Sequence, residues 1–527
     1  MGSANGHHGP TAHIAIDLGA ESGRVIVGEI RSDGGDRRGV QRLTMHEMHR
    51  FFHGDIADEA GGRHWDVEEI WLGIREGLRS AARWSASSDV AIRSVGVDTW
   101  GVDFALLDAQ EQLLAPPRCY RDPRHFVAMD AMLGELANLG GAFRLFRVSG
   151  TAPMFFNTIF QLVAMQRAEP ALLARARALL FMPDFLHWKL SGSMTCEETI
   201  ASTSGLVDAT TGDWSDDLLS AVGIPTHMLR PIRPCGQAIG RIRPDLAREL
   251  GLSESIEVVA PAGHDTASAV AAVPAEASSR WAYLSSGTWS LIGLELPGPI
   301  LSERACSARL TNERGPNGTM RLLRNIVGLW MVQEYRRERM RRGQDESYQE
   351  LTQLAADSQP MRSLVNATHE SFHAPGDMSP RIAALASRTG EPVPVGPGPI
   401  VRCCLESLAL EYDRTLREIE GIAGRSIDVL HVVGGGSLND LLNQFTADAT
   451  GCTVIAGPAE ATAAGNILVQ AAGVGAIAAD AVRRIARDSF ELHRFVPQPA
   501  EAERWTKARE RYARLREISL RADRQPS

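Results

Sequence analysis

"HIAIDLGAESGRVIVGEI", residues 13–30, decides the fold. An apolar run built on Ile14 and Ile16 ends at Asp17, a turn bounded by Gly19 and Gly23 follows, and the chain returns through Val25, Ile26 and Val27. That pattern predicts a strand, a tight turn and an antiparallel partner. Residues 40–52, "VQRLTMHEMHRFF", read as a third strand. In "DVEEIWLGIREGLRSAARW" (66–84), Ile70, Trp71, Ile74 and Leu78 recur at helical spacing behind Asp66 as N-cap. "AIRSVGVDTWGVDFALLD" (91–108) returns to strand. The order is three strands, a helix and a strand.

The second half echoes this order. "WAYLSSGTWSLIGLEL" (281–296) is a hairpin around Ser286-Gly287-Thr288, and "DVLHVVGGG" (428–436) a buried strand running into a glycine turn. "SLNDLLNQFTADATG" (437–451) is a helix closing at Gly451, "CTVIAG" a strand, and "EATAAGNILVQAAG" (460–473) a small-residue helix. The expectation is an α/β chain of two duplicated domains, residues 12–272 and 273–500, facing a cleft.

Bulk properties narrow the function. With 527 residues the chain exceeds one ordinary core. A net charge of −9 without a basic block argues against nucleic acid, and no apolar run reaches the roughly 20 residues that span a bilayer. The start, "MGSANGHHGPTAH", reads as a polar leader, and seven cysteines without a framework spacing fit a reducing cytoplasm. Cys403 and Cys404 read as core filling. Of 55 basic residues only Lys189 and Lys507 are lysines, so the chain has no P-loop lysine. No H-E-x-x-H, C-x-x-C or G-x-S-x-G motif is present either. A nucleotide would have to be held by backbone N–H groups, hydroxyls and arginine.

Several stretches suit that task. The turn Asp17–Arg24 directs N–H groups to one point, Arg24 offers a charge-assisted bond, and Asp17 could orient a metal-bound water; a solvated β-turn is the plainer alternative. "SSGTW" (285–289) offers Thr288 and open backbone, or is an ordinary hairpin turn. Three glycines at 434–436 call for close passage of a flat ligand or close packing of a strand. In "LLRNIVGLWMVQE" (322–334), Asn325 and Gln333 fall roughly on one side of an expected helix. "GVDTWGVDF" (96–104) is either a sugar-binding surface or a buried tryptophan with its N–H paired. "CYRDPR" (119–124) is a structural ion pair before it is a substrate contact. In "VVAPAGHDTASAV" (258–270), Asp265 begins a helix after a strand, so it is an N-cap or a base for an alcohol attacking phosphorus.

The order of these motifs changes the balance. "DLGAESGR", "DTWGVDFALLD", "YRDPR", "GHDTASAV", "SSGTWSLIG", "NIVGLWMVQE" and "HVVGGGSLNDLLNQFTADATG", spread over about residues 14–485, together resemble the FGGY family of sugar kinases. The resemblance implies two actin-like, ribonuclease-H-like domains and phosphoryl transfer from MgATP to a ketose. It makes Asp265 the general base and puts Gly101, His264, Thr266 and Asn325 on the sugar. Ala20, Glu21, Ser22, Gly23 and Arg24 become the phosphate turn, Thr288, Gln333 and Gly435 nucleotide contacts, and Asp17 a Mg2+ ligand through water. Many relatives carry threonine at the position of Ala20 and Gly-Asp-Gln at that of His264-Asp265-Thr266. The second departure narrows the sugar. Glu21 should point away from the phosphates. The implied enzyme is cytoplasmic, monomeric or homodimeric, and free of nucleic-acid or membrane partners. An actin-like ATPase with no sugar acceptor would share the phosphate turns but has no need of "DTWGVDF" or Asn325.

Overall fold

The structure is a computed structural model and describes residues 10–32, 40–59, 61–136, 140–276 and 279–522. The leader reading falls largely on residues 1–9, outside the described residues. Two compact units divide the chain. The first comprises Met1–Pro274, Glu295–Leu322 and Ala461–Phe490, and the second Ala275–Leu294, Leu323–Glu460 and Glu491–Ser527.

In the first unit the opening hairpin forms as the sequence dictates. Thr11–Leu18 pairs antiparallel with Ser22–Ser32, which pairs antiparallel with Gln41–Phe52. Ile92–Thr99 joins the other side of Thr11–Leu18 in parallel, followed by Glu257–Ala260 and Gln237–Arg241. The first strand is buried almost throughout because helices cover both sheet faces. Ile14, Ile16, Val25 and Val27 pack with Ile70, Ile74 and Leu78 of the helix Val67–Ser88. Ala15 and Ile26, on the opposite face, pack with Ala464, Ile467 and Leu468 of the helix Ala461–Gly473. Asp66 caps the first helix, its carboxylate accepting from Glu69 N.

The second helix is the topological departure from the reading by halves. It follows the last parallel strand of the second unit in sequence but folds into the first. Gln470 Nε2 donates to Ile14 O (2.9 Å), Ser94 Oγ donates to Gln470 Oε1 (2.7 Å), and Asn466 Nδ2 donates to Asp98 Oδ2 (2.5 Å).

The second unit repeats the strand order. Trp281–Ser286 pairs antiparallel with Trp289–Leu296 and parallel with Val429–Val433, which is parallel to Thr453–Ala456. Met320–Val327 flanks Trp289–Leu296, as Gln41–Phe52 flanks the second strand of the first unit. The helix Pro397–Ala423 buries Leu405, Leu408, Tyr412, Leu416 and Ile419, with Cys403 and Cys404 as fill. Two copies of one strand order, 3-2-1-4-5 with strand 2 antiparallel, give the duplicated ribonuclease-H-like α/β fold expected from the sequence.

One expected element is different. "LLRNIVGLWMVQE" is not a helix: Asn325 lies on the strand Met320–Val327 and Gln333 on the helix Trp330–Arg341. The cause is local. Gly328 and Leu329 donate back to the carbonyls of Thr288 and Gly287 (3.0 Å each), so the hairpin tip fixes the turn between strand and helix. The β-branched Ile326 and Val327 favour the strand before it.

Candidate active site

Asp265 is the first residue of the helix Asp265–Ala271, just beyond the strand Glu257–Ala260. Its Oδ1 accepts from Thr266 N (2.5 Å) and Thr266 Oγ1 (3.0 Å), and His264 Nε2 lies 3.4 Å from the same oxygen. The carboxylate therefore satisfies one free N–H of the first helical turn from inside the helix; the N-cap is His264, whose side chain makes no capping bond, so Asp265 is not the N-cap that its place after the strand suggested. Its second oxygen, Oδ2, has no hydrogen bond among the described residues. A side chain 32% exposed, with one oxygen fixed and the other open, is suited to accepting a proton. Burial raises the Asp265 carboxyl above the ordinary aspartate range; His264 and Thr266 oppose that shift, and the nearby charge of Asp17 adds to it.

The turn before Asp265 is held by groups the sequence did not single out. Glu197 accepts from Thr199 N (2.8 Å), Thr199 Oγ1 (2.7 Å), Ile200 N (3.1 Å) and Gly263 N (2.9 Å), while His264 N donates to Thr199 Oγ1 (3.2 Å). Burial pushes the Glu197 carboxyl up to about 7, against the pull of the Thr199 donors. Glu197, Glu198 and Cys235 gather within 4.8 Å, but Glu197 is already saturated and burial pushes the Cys235 thiol well up. We read the cluster as structural.

Thr99 N donates to Gly263 O (2.9 Å) and Thr99 bridges His264, which brings Gly101 beside His264. A Cβ on Gly101 would sit 3.5 Å from His264 Nε2 and 3.3 Å from Thr203 Cγ2. Beyond it, Asp103 N donates to Gly101 O (2.9 Å) around Val102 at φ 71°, a tight turn in a region a β-branched residue rarely occupies. Thr203 Oγ1 and Thr158 Oγ1 hold the two sides of the Val102 peptide (3.1 and 2.6 Å).

Trp100 and Asp103 take the structural alternative. Asp103 Oδ2 accepts from Trp65 Nε1 (2.6 Å), Trp100 Nε1 (2.9 Å) and Tyr120 N (3.1 Å), and Oδ1 from Gln161 Nε2 (2.8 Å). Burial raises the Asp103 carboxyl to about 7, opposed by these four donors. Asp103→Ala would leave two indole N–H groups and a backbone N–H without an acceptor, while the Gln161 amide keeps Phe156 O (2.9 Å). It should lower unfolding stability by about 3 kcal/mol or more, read as a fall in urea midpoint; an unchanged midpoint would remove Asp103 from the scaffold. "CYRDPR" is likewise structural: buried Asp122 pairs with Arg124 and accepts from Arg63 N (3.1 Å).

The expected phosphate turn is the hairpin loop between the first two strands. Gly19 N donates to Ser22 O (2.9 Å), with Ala20 and Glu21 at its tip. Glu21 is exposed, and its charge acts on His53 and Arg121. Arg24 Nη2 donates to Asp17 Oδ2 (2.5 Å). Asp17 stands opposite Asp98 in the parallel ladder, so their carboxylates share a face. Asp98 Oδ1 is buried without a partner among the described residues, and burial, then the charge of Asp17, raises the Asp98 carboxyl well above its usual range. The first unit thus assembles Asp17, residues 20–24, Gly101 and His264-Asp265-Thr266, and adds Asp98.

The second unit gathers Thr288, Gln333 and Gly435. Thr288 O accepts from Gly328 N (3.0 Å) and Trp330 N (3.3 Å), and Gln333 follows in the first turn of that helix. The three glycines divide between the two explanations. A Cβ on Gly436 would overlap the Ser286 side chain, and Gly434, at φ 83°, holds a backbone conformation that favours glycine 3.0 Å from Ser286 O, so those two serve the turn and its close packing; Gly435 is exposed with open space beside it. Asn325, half-buried on its strand, also belongs to this unit.

Two copies of the ribonuclease-H-like unit, glycine-rich hairpin and strand–helix turns, and an open carboxylate at the mouth of a strand define a phosphotransferase of the actin-like class that acts on an alcohol group. The comparisons are specific. The FGGY family of carbohydrate kinases matches through its N-terminal domain at residues 12–272 and its C-terminal domain at 282–474. This chain belongs to that family. It is 42% identical to the rhamnulokinase of Bacteroides thetaiotaomicron over 93% of this chain and 96% of that one. It is 37% identical to the rhamnulokinase of Oceanobacillus iheyensis, over 92% and 98%. Among solved structures the fold matches xylulose kinase from Rhodospirillum rubrum (TM-score 0.76, 18% identity, 97% and 98% covered). It also matches Plasmodium falciparum glycerol kinase with ADP (0.74, 15%, 95% and 97%). Membership implies the use of ATP. Among the described residues no helix is long and apolar enough to cross a membrane.

Proposed function

We propose that the chain transfers the γ-phosphoryl group of ATP to the 1-hydroxyl of L-rhamnulose, giving L-rhamnulose 1-phosphate and ADP. Curated rhamnulokinases at 37–42% identity over more than nine-tenths of the chain support the substrate. The observation that carries the chemistry is Asp265, with one oxygen held by Thr266 and the other open. Asp265 Oδ2 takes the proton of the 1-hydroxyl as that oxygen bonds to the γ-phosphorus and the bridging oxygen leaves on ADP. Gly101, His264, Thr266 and Asn325 bind the ketose. Residues 20–24, Thr288, Gln333 and the open backbone of Gly435 bind the nucleotide.

The carboxylates also suit a divalent cation. Asp17 and Asp98 share a face, and the unpartnered buried Oδ1 of Asp98 is a donor that a cation would satisfy. Asp17 would hold Mg2+ through water with Asp98 beside it, and the ion supplies charge neutralisation on the phosphates. Seven free cysteines suit a cytoplasmic enzyme.

The test is ADP release with MgATP against L-rhamnulose, L-fuculose, L-xylulose, D-xylulose, L-ribulose and glycerol. Preferred turnover of L-rhamnulose is expected. Preference for another ketose would keep the kinase and change the substrate, whereas hydrolysis indifferent to every sugar would remove the sugar site.

A further inference from the structure

His264 is gripped from the side away from Asp265. Its Nδ1 lies 3.2 Å from Arg321 Nη2 and 3.1 Å from Glu313 Oε2. Arg321 is fully buried, donating through Nη2 to Glu313 Oε2 (2.9 Å) and through Nε to Arg314 O (3.1 Å). Glu313 is buried as well; burial works against its ionised form, but the Arg321 charge holds its carboxyl below the usual range. Neither residue belongs to a motif that pointed to function. A buried ion pair adds little to stability over an apolar pair of equal volume, so its place against a site histidine calls for another explanation.

We propose that Glu313 and Arg321 are positioning residues that fix the ring and tautomer of His264, with the proton on Nε2, and through it hold Asp265 Oδ1. Arginine donates and cannot accept, so the contact from Arg321 requires the lone pair at Nδ1. At the other end of the ring, Asp265 Oδ1 is an acceptor facing Nε2. Both ends therefore call for Nε2–H. Glu313 alone favours a proton at Nδ1, but Arg321 Nη2 contacts both Glu313 Oε2 (2.9 Å) and Nδ1 (3.2 Å) and can donate one N–H to each. The run Glu313–Arg321–His264–Asp265 then keeps the ring N–H facing Oδ1, which already accepts twice from Thr266, and leaves Oδ2 as the reacting oxygen. The same device orients catalytic and metal-binding histidines, where the partner of one ring nitrogen sets the state of the other.

This inference rests on the reading of Asp265 as the base, and two measurements separate them. In the native enzyme, ring 15N shifts of His264, assigned by their loss in His264→Gln, should show Nε2 protonated and Nδ1 bare. A protonated Nδ1 would overturn the proposal with no appeal to turnover. The second measurement uses Glu313→Gln with Arg321→Met, which removes both charges and strands neither. This variant should fold with a native circular-dichroism spectrum. It should lose about 10- to 100-fold in kcat on L-rhamnulose, keep its KM for ATP within about twofold, and lose the single His264 tautomer. A folded variant with kcat within about twofold of native would overturn the proposal; if it does not fold, the native ring shifts decide alone. Failure of the native enzyme to turn over any sugar would instead overturn the kinase reading and leave the tautomer result standing.

Discussion

Asp265→Asn should keep ATP and L-rhamnulose binding near native while kcat falls by about 10²- to 10⁴-fold, the usual contribution of a positioned base. The substitution is nearly isosteric, and its carbonyl oxygen can still accept from Thr266 N and Oγ1, so the helix start survives. Only the oxygen that is open in the native enzyme is lost, replaced by an amide that cannot take a proton. The pH profile provides the matching test in the native enzyme. A base works deprotonated, so kcat/KM should fall as pH drops through the Asp265 pKa. Burial, supplemented by the charge of Asp17, places that acid limb above the ordinary aspartate range. The residual rate of Asp265→Asn should lack this limb. An Asn variant with native kcat would reduce Asp265 to the local bonds its Oδ1 makes to Thr266.

Much of this site is legible in the sequence because its parts are local. A strand, a glycine-bounded turn and a returning strand are written in residues 13–30, and the hairpin tip at 286–288 and the turn at 434–436 are likewise contiguous. Asp265 is readable as an acid at the start of a helix. What escaped notice is long-range. Glu197 reaches the turn at Gly263 from 66 residues away, and nothing in "CEETIAS" marks it beyond an acid before a short helix. Glu313 and Arg321 lie in a segment with no motif, and their meaning exists only where they meet His264. The helix placed on Asn325 and Gln333 failed because periodicity over thirteen residues cannot sense two backbone contacts to a hairpin elsewhere in the chain. The helix of residues 461–473 is legible as a helix, but no pattern within it says that it packs in the first unit.

That helix carries the second large prediction. Gly465 faces the helix Asp265–Ala271 so closely that a Cβ would overlap the carbonyl oxygen of Ser268. Helix propensity alone predicts that Gly465→Ala stabilises by about 1 kcal/mol. Sterics should reverse the sign, because the obstacle is backbone and cannot swing away as a side chain does; inserting a methyl into such a contact costs about 1–3 kcal/mol. The control is Gly134, in the helix Arg124–Glu135 with nothing within 4 Å of its would-be Cβ. There the same substitution should raise the thermal midpoint slightly. Gly465→Ala should lower it and also reduce kcat, since the displaced backbone belongs to the short helix that begins at Asp265. A shift of about 1 Å at the reacting group is worth on the order of 10²-fold in rate. Because Ser268 is three residues from the base, the shift has little chain in which to dissipate. A Gly465→Ala enzyme more stable than native and equally active would mean that the two helices slide apart freely, and that the catalytic turn is held by Glu197 and Thr199 without help from the helix behind it.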